Sequence, residues 1–166
     1  MYYRIYHIKL NGEIFMTKER TFTMINPDAV QRGFVGEIIS RFEKKGIKII
    51  AMKLVSVSKE LAEEHYGIHK GKSFFEPTVK YITSSPVVAM VLEGDNAINM
   101  VRGMMGKTNP QDASMGTIRG DYGQFIGRNI IHGSDGADTA KFEINLWFKP
   151  EELSEYTKID EEWLRE

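Results

Sequence analysis

An uninterrupted apolar run from Val87 to Leu92 constrains the fold of this chain more than any other feature. The run is far too short to cross a bilayer, which needs about 20 apolar residues. Its length and its β-branched content are typical of a strand that is buried on both faces. Segments 21–25 and 47–57 predict two further strands. The rest of the chain therefore has to be arranged around a central sheet.

Between these strands, apolar residues recur at helical spacing. Ser58 and Asp95 are suited to begin two of the helices, and Gly46 and Gly106 are suited to end two of them. The last clear helix places its apolar residues on one stripe, made up of Ala140, Ile144, Trp147 and Phe148.

The resulting order of elements is β-α-β-α-α-β-α-loop-β-α, in which residues 106–128 form the loop. Two β-α-β halves predict an α+β fold of the ferredoxin-like type (βαββαβ), with an antiparallel sheet and helices on one face. We therefore expect a two-layer sandwich with added helices and a long loop. A loop of this length inside a domain is usually functional.

The bulk composition excludes several classes of protein. The chain has 166 residues, 42% of them hydrophobic and 27% charged, and a net charge of -1. These values are ordinary for a globular domain, and they favour neither a nucleic-acid partner nor a membrane surface. Because the chain has no cysteine, disulfides and thiolate chemistry are excluded. The N-terminus lacks the apolar stretch of a secretory signal, so we expect a cytoplasmic protein.

Residues 1–18 stand apart from the domain that we assign to residues 19–166. Residues 4–10 resemble a strand, Asn11-Gly12 is a strong hairpin turn, and residues 14–16 could return as a second strand. The alternative is an upstream segment ahead of a natural start at Met16. The sequence leaves both interpretations open.

A histidine at the end of a short β-branched run carries the chemistry. His132 follows Ile130 and Ile131, and turn and helix-start residues come after it, in segment 133–136. An imidazole at a strand end, beside a helix N-terminus that favours anions, can attack phosphorus and carry a phosphoryl group. The alternative is a structural histidine bonded to backbone. An ordinary imidazole has a pKa of about 6.5, so a large neutral fraction exists at cellular pH.

Several motifs in order along the chain agree with one known family. They are Asn26-Pro27-Asp28-Ala29-Val30-Gln31-Arg32-Gly33, His65-Tyr66, Thr108-Asn109-Pro110, Gly116-Thr117-Ile118-Arg119-Gly120-Asp121 and Asn129-Ile130-Ile131-His132-Gly133-Ser134-Asp135. Together they resemble the nucleoside diphosphate kinases over residues 19–152. The resemblance implies the ferredoxin-like fold and a ping-pong reaction. In this reaction His132 takes the γ-phosphate of ATP and gives it to a nucleoside diphosphate.

The resemblance also assigns the site. It implies His132 as the nucleophile, Glu143 as the carboxylate that orients it, and Ser134 and Tyr66 as supporting groups. Taken alone, Glu143 could equally be a surface glutamate. The implied nucleotide and phosphate contacts are Asn26, Phe74, Thr78, Arg102, Thr108, Arg119 and Asn129.

The remaining implications concern specificity, the metal and assembly. Stacking of the base on Phe74, opposite Thr78, gives poor base selectivity, so broad use of nucleoside diphosphates is expected. Mg²⁺ is expected on the nucleotide phosphates, with Asp135 assisting through water or acting instead as a helix N-cap. The family also implies a homo-oligomer, a hexamer or a tetramer. His65 and His69 lie one helical turn apart without a zinc motif, which favours a solvated helix face.

Asn26 departs from the family, which carries a lysine at this position. Loss of one preorganised donor to a transferred phosphate costs on the order of 10²–10³ in rate. Three explanations stay open: an introduced substitution, a natural low-activity variant, or rescue by another cation such as Lys107. The alternative function is therefore a catalytically impaired member that binds nucleotides or acts as a scaffold.

Overall fold

The computed structural model describes residues 18–164, together with the backbone of residues 8–10 and 13–15. The strands are β1 (Ile8–Leu10), β2 (Glu13–Phe15), β3 (Glu19–Ile25), β4 (Lys48–Val55), β5 (Val87–Gly94) and β6 (Ile131–Gly133). The helices are α1 (Pro27–Gln31), α2 (Val35–Lys44), α3 (Lys59–His65), α4 (Phe75–Ile82), α5 (Ala97–Met105), α6 (Ile118–Tyr122), α7 (Ala137–Trp147) and α8 (Glu161–Leu164).

Strands β3 to β6 form one antiparallel sheet in the order β4-β5-β3-β6. The apolar run 87–92 lies in β5, at the centre of the sheet, and all of its residues are buried. With α2 and α5 as the two crossover helices, this is the ferredoxin-like arrangement that the sequence predicted. Strand β6, which carries His132, lies at one edge of the sheet and, among the described strands, pairs with β3 alone.

The sheet is covered on both faces, not on one face as the periodicity suggested. Alternate residues of β5 pack into two separate apolar clusters. Helices α2 and α5 cover one cluster, whereas α3, α4 and α7 cover the other. The helices inserted before β5 and after β6 therefore add a third layer, because a central strand that is apolar on both faces has to be buried on both.

Helix ends follow the prediction in part. The Ser58 hydroxyl accepts the Leu61 N–H at 3.1 Å and caps α3. Asp95, however, is not the N-cap of α5, because the chain turns at Asn96, which has a φ of 51° and takes that position. The Glu19 carboxylate accepts the Ile98 N–H at 2.8 Å, so the cap comes from β3.

The long loop contains more structure than its composition predicted. It includes a 3₁₀ turn at Pro110–Asp112 and helix α6, which Thr117 caps. Helices this short show no periodicity that a sequence pattern can reveal. At the N-terminus, β1 pairs with β2 in antiparallel register, with Ile8 opposite Phe15, while the Asn11-Gly12 turn lies outside the described residues. Within the described part of the chain, none of the helices has the length and apolar character that a transmembrane span requires.

Candidate active site

The backbone just before His132 is strained. Ile130 is fully buried and has a φ of 74°, a left-handed conformation that β-branched residues rarely adopt. Such a residue costs about 1–3 kcal/mol and persists only where its surroundings hold it. Here the Ile130 carbonyl accepts the Asn26 N–H at 2.9 Å. The turn fixes the direction in which the chain enters β6, where His132 lies opposite Met24.

The imidazole of His132 is oriented by a buried carboxylate. Its Nε2 lies 2.7 Å from Oε1 of Glu143, and the side chain of His132 is 24% exposed. The hydroxyl of Ser134 donates to the other oxygen of Glu143 at 2.5 Å and accepts the Phe22 N–H at 3.2 Å. Because a carboxylate only accepts, Nε2 carries the ring proton and Nδ1 keeps its lone pair. Glu143 is 3% exposed, so it is not a surface glutamate.

Gly133 allows this strand to lie close to helix α5. A Cβ at this position would lie 2.6 Å from the sulfur of Met105. The close approach brings Arg102, also on α5, near the end of β6, where its Nη1 lies 3.5 Å from the Gly133 carbonyl. One of the two predicted arginines thus lies beside the nucleophile strand.

Arg119 has a structural role that its position in the long loop did not predict. Its guanidinium is buried and donates to the carbonyls of Gly106, Asn129 and Ile131 at 2.9, 3.2 and 2.6 Å. Burial, together with the charge of Arg102, lowers its pKa to about 10. Arg119 therefore ties the long loop to β6, and it brings a second positive charge to the same place.

Asn26 lies at the N-cap of α1 and is buried. Its Nδ2 donates to Oδ1 of Asn129 at 3.1 Å, and Nδ2 of Asn129 donates to the Thr108 carbonyl at 3.2 Å. The side-chain oxygen of Asn26, Oδ1, has no hydrogen-bond partner within the part of the chain that the structure describes. Three of the predicted phosphate and sugar contacts, Asn26, Asn129 and Thr108, are therefore linked by two consecutive hydrogen bonds.

The comparisons with known proteins agree with this geometry. The family model described as nucleoside diphosphate kinase matches residues 19–153. The chain belongs to the nucleoside diphosphate kinase family. A nucleoside diphosphate kinase of Desulfitobacterium hafniense is 62% identical over 148 residues, which are 89% of this chain and 99% of that protein. One from Staphylococcus carnosus is 61% identical over the same coverage.

Solved structures extend the similarity to three dimensions. A halophilic nucleoside diphosphate kinase from Halobacterium salinarum, in complex with CDP, superposes with a TM-score of 0.88 at 48% identity. The match covers 90% of this chain and 99% of that one. A nucleoside diphosphate kinase family protein from Babesia bovis gives 0.86 at 42% identity, covering 89% and 99%. The ferredoxin-like prediction is confirmed.

Within this nucleoside diphosphate kinase fold, Tyr66 lies beside the nucleophile. Its ring centroid is 6.2 Å from that of His132 and 4.6 Å from that of His65. Burial and the negative charge of Glu143 raise the pKa of the Tyr66 phenol well above its usual range. Tyr66 is therefore a neutral hydroxyl throughout the physiological pH range.

The predicted base platform lies at the start of α4. Phe74 is about half exposed, and Thr78 donates its hydroxyl to the Phe74 carbonyl at 2.8 Å. His69 packs edge-on against Phe74 at 5.2 Å, and Nζ of Lys72 lies 5.7 Å from the same ring. No sequence pattern predicted these two neighbours of Phe74, because they reach the helix start only through the 3₁₀ turn at Gly67–His69.

Asp135 is exposed and does not cap α7, whose N-cap is Gly136. Hydrogen bonding to Thr139, aided by the charges of Arg102 and His132, lowers the pKa of the Asp135 carboxyl. An exposed, ionised carboxylate within electrostatic range of Arg102 and His132 is a suitable oxygen donor for Mg²⁺.

His65 is the residue that sequence reasoning placed wrongly. It is 5% exposed and lies among Phe22, Trp147 and His132, not on a solvated helix face. The apolar stripe of α7 explains the error, because Trp147 covers the face of α3 that carries His65. Ligand atoms of His65, His132 and Glu143 all lie within 4.8 Å of one another. Such spacing suits a metal ion, and the protonation of His65 decides whether one can bind there.

Proposed function

We propose that this chain transfers the γ-phosphate of ATP to nucleoside diphosphates through a phosphohistidine at His132. The observation that carries the proposal is the contact between Nε2 of His132 and Glu143, which leaves the Nδ1 lone pair as the nucleophile. A bond forms between Nδ1 and the γ-phosphorus while the bond from that phosphorus to the bridging oxygen breaks, releasing ADP. A second nucleoside diphosphate takes the phosphoryl group in the reverse step.

The residues around His132 support binding and charge stabilisation in this reaction. Phosphoryl transfer depends on positioning and on cations near the phosphate oxygens. Arg102 and Arg119 supply positive charge at the end of β6, and Glu143 compensates the charge that develops on the imidazole. Thr108 and Asn129 are proposed contacts to the phosphates and the sugar, and Phe74 with Thr78 would hold the base. The relative that was solved with CDP supports nucleotide binding by this chain.

Mg²⁺ is the proposed cofactor. Of the acidic groups near the nucleophile, Glu143 is occupied by donors from His132 and Ser134, whereas Asp135 is exposed and within electrostatic range of His132. Asp135 would therefore hold Mg²⁺ through water, and the nucleotide phosphates would bind it directly. When bound, the ion neutralises part of the phosphate charge.

We propose further that Asn26 reduces the rate. An amide donor bonded to Asn129 carries no charge, and its orphaned oxygen would face phosphate oxygens with which it cannot bond. The rival function, nucleotide binding or scaffolding without transfer, rests on this residue. Tight nucleotide binding by calorimetry with no transfer would favour the rival.

Intact-mass analysis tests the reaction directly. After incubation with ATP and Mg²⁺, the protein should gain the mass of one phosphoryl group, and it should lose that mass when a nucleoside diphosphate is added. His132→Ala should show no adduct. An adduct that persists in His132→Ala, or no adduct in the parent protein, would overturn the proposal.

A homo-oligomer, a hexamer or tetramer by family resemblance, is also proposed. Strand β4 lies at an edge of the sheet, and Met52 and Leu54 on it are 54% and 67% exposed. An apolar edge strand of this kind is a template for pairing with another copy. The family match over residues 19–153 supports the proposal that the domain begins at residue 19, behind an N-terminal extension, and the domain's end at residue 166 stays a prediction. The cytoplasmic location stays a prediction.

A further inference from the structure

The proton on His65 is fixed by its neighbour Trp147. The indole Nε1 of Trp147 lies 3.0 Å from Nδ1 of His65. An indole N–H can only donate, so Nδ1 must accept with its lone pair. In a neutral imidazole the single proton is then on Nε2. Burial, together with the positive field of His132 and His69, lowers the pKa of His65 well below its usual value, which keeps the ring neutral.

The proton on Nε2 of His65 faces the carboxylate of the site. Nε2 is buried, has no hydrogen-bond partner among residues 18–164, and lies 3.6 Å from Oε1 of Glu143. That same oxygen accepts from His132 at 2.7 Å. Ser134 donates to the second oxygen. The carboxylate is therefore surrounded by three donors, two of them already bonded and one held just outside bonding distance.

This protonation state excludes a metal ion at the cluster of His65, His132 and Glu143. A metal would need the lone pair on Nε2 of His65, which requires either that the proton moves to Nδ1 or that the ring loses its single N–H proton and becomes an imidazolate. A proton on Nδ1 would point directly at the indole N–H of Trp147. The spacing that suits a metal therefore serves hydrogen bonding instead.

We propose that His65 is a positioning residue that acts through Glu143, as a neutral Nε2–H donor that closes on this carboxylate when His132 attacks phosphorus. The inference rests on the proposed phosphotransfer. As positive charge develops on the ring of His132, Glu143 is drawn towards it, and a second donor keeps the carboxylate in place. A protonated His65 would instead put a like charge 4.7 Å from the nucleophile ring, measured between centroids. Trp147 prevents this by occupying Nδ1.

The groups that face His65 come from several elements. They are His132 on β6, Glu143 and Trp147 on α7, and Tyr66 and His69, which follow α3. Of these, the negative carboxylate of Glu143 lies opposite Nε2 of His65. The indole N–H of Trp147 donates to Nδ1, so this nitrogen cannot carry a proton. This asymmetry is what gives the ring one tautomer.

Long-range ¹H–¹⁵N correlation spectra of the full chain test the tautomer independently of activity. Nδ1 of His65 should show the shift of an unprotonated nitrogen, and Nε2 that of a protonated one, from about pH 5 to about pH 8. Trp147→Phe removes the donor to Nδ1 and should let the ring proton distribute between Nδ1 and Nε2, whereas Trp163→Phe, which alters an exposed indole, should leave the proton on Nε2. A protonated Nδ1 in the parent protein, or a His65 signal that loses its Nε2 proton when Zn²⁺ is added, would overturn the assignment.

Two variants of His65 test the donor. His65→Gln places an amide N–H where Nε2 was, and His65→Asn offers an acceptor to the indole but no donor to Glu143. His65→Gln should retain kcat within about threefold, and His65→Asn should lose about tenfold in kcat with KM unchanged. Equal kcat values for the two would overturn the role. If the parent forms no phosphoenzyme, the proposed function fails while the spectra still decide the tautomer.

Discussion

Nδ2 of Asn26 donates to Oδ1 of Asn129 at 3.1 Å, although the two residues lie 103 positions apart in the chain. The Thr108 carbonyl fixes this orientation, because it can only accept and therefore turns Nδ2 of Asn129 towards itself. The oxygen of Asn26 is left buried without a partner among the residues that the structure describes. A buried acceptor of this kind costs about 1–3 kcal/mol.

Asn26→Lys should raise kcat by on the order of 10²–10³, because an ammonium group would replace a neutral amide beside the transferred phosphate. Steady-state transfer from ATP to a nucleoside diphosphate measures the change. Asn26→Gln is the matched control, since it lengthens the side chain without adding charge, and it should give no comparable gain. An unchanged kcat in Asn26→Lys would refute the missing-charge explanation.

Glu143→Gln should slow phosphoenzyme formation by on the order of 10²-fold or more, because an amide can donate to His132 and stabilise the wrong tautomer. Single-turnover mixing with ATP and Mg²⁺ measures this rate. Ser134→Ala removes one bond to the same carboxylate and should have a smaller effect in the same direction. If Glu143→Gln matched the parent rate, Glu143 would have no orienting role.

The free energy of unfolding should fall as the pH drops below about 6.5. In the folded protein the pKa of His65 is held well below its usual value, first by burial and then by the positive field of His132. In the unfolded chain His65 takes up a proton near its ordinary pKa of about 6.5, so the unfolded state binds more protons in this window. The loss attributable to His65 reaches at most about 1.4 kcal/mol per pH unit.

Urea unfolding of the parent and of His65→Gln at about pH 7 and about pH 5 measures this contribution. His65→Gln should lose less stability on acidification than the parent, because the titrating ring is gone. Equal losses in the two proteins would show that His65 does not stay neutral in the folded state.

Replacing Met52 and Leu54 by lysine should reduce the subunit number, because charges on both chains would face each other across the exposed edge of β4. Light scattering after size-exclusion chromatography measures the mass. Ile159→Lys, at an exposed apolar position in the C-terminal segment, is the control and should leave the mass unchanged. An unaltered mass in the double variant would exclude this edge from the interface.

The sequence predicted well where local periodicity carries the information. The run 87–92, the Ser58 cap and a short strand at His132 all have local signals, and the structure shows each of them, although β6 extends one residue beyond His132. It predicted poorly where a contact comes from a distant segment. The cap of α5 comes from Glu19 on β3, and the buried guanidinium of Arg119 donates to the carbonyl of Ile131 on β6 and to that of Gly106 at the far end of its own loop.

The sequence by itself determined the order of strands and helices, the family, and the placing of an imidazole at a strand end, because apolar periodicity and short motifs depend on neighbours in the chain. Only the tertiary structure decided the protonation of the site. Packing of α7 on the sheet brings Glu143 to His132 and Trp147 to His65. Tautomers depend on which donors and acceptors meet in space, and for His65 the donor comes from a helix 82 residues further along the chain.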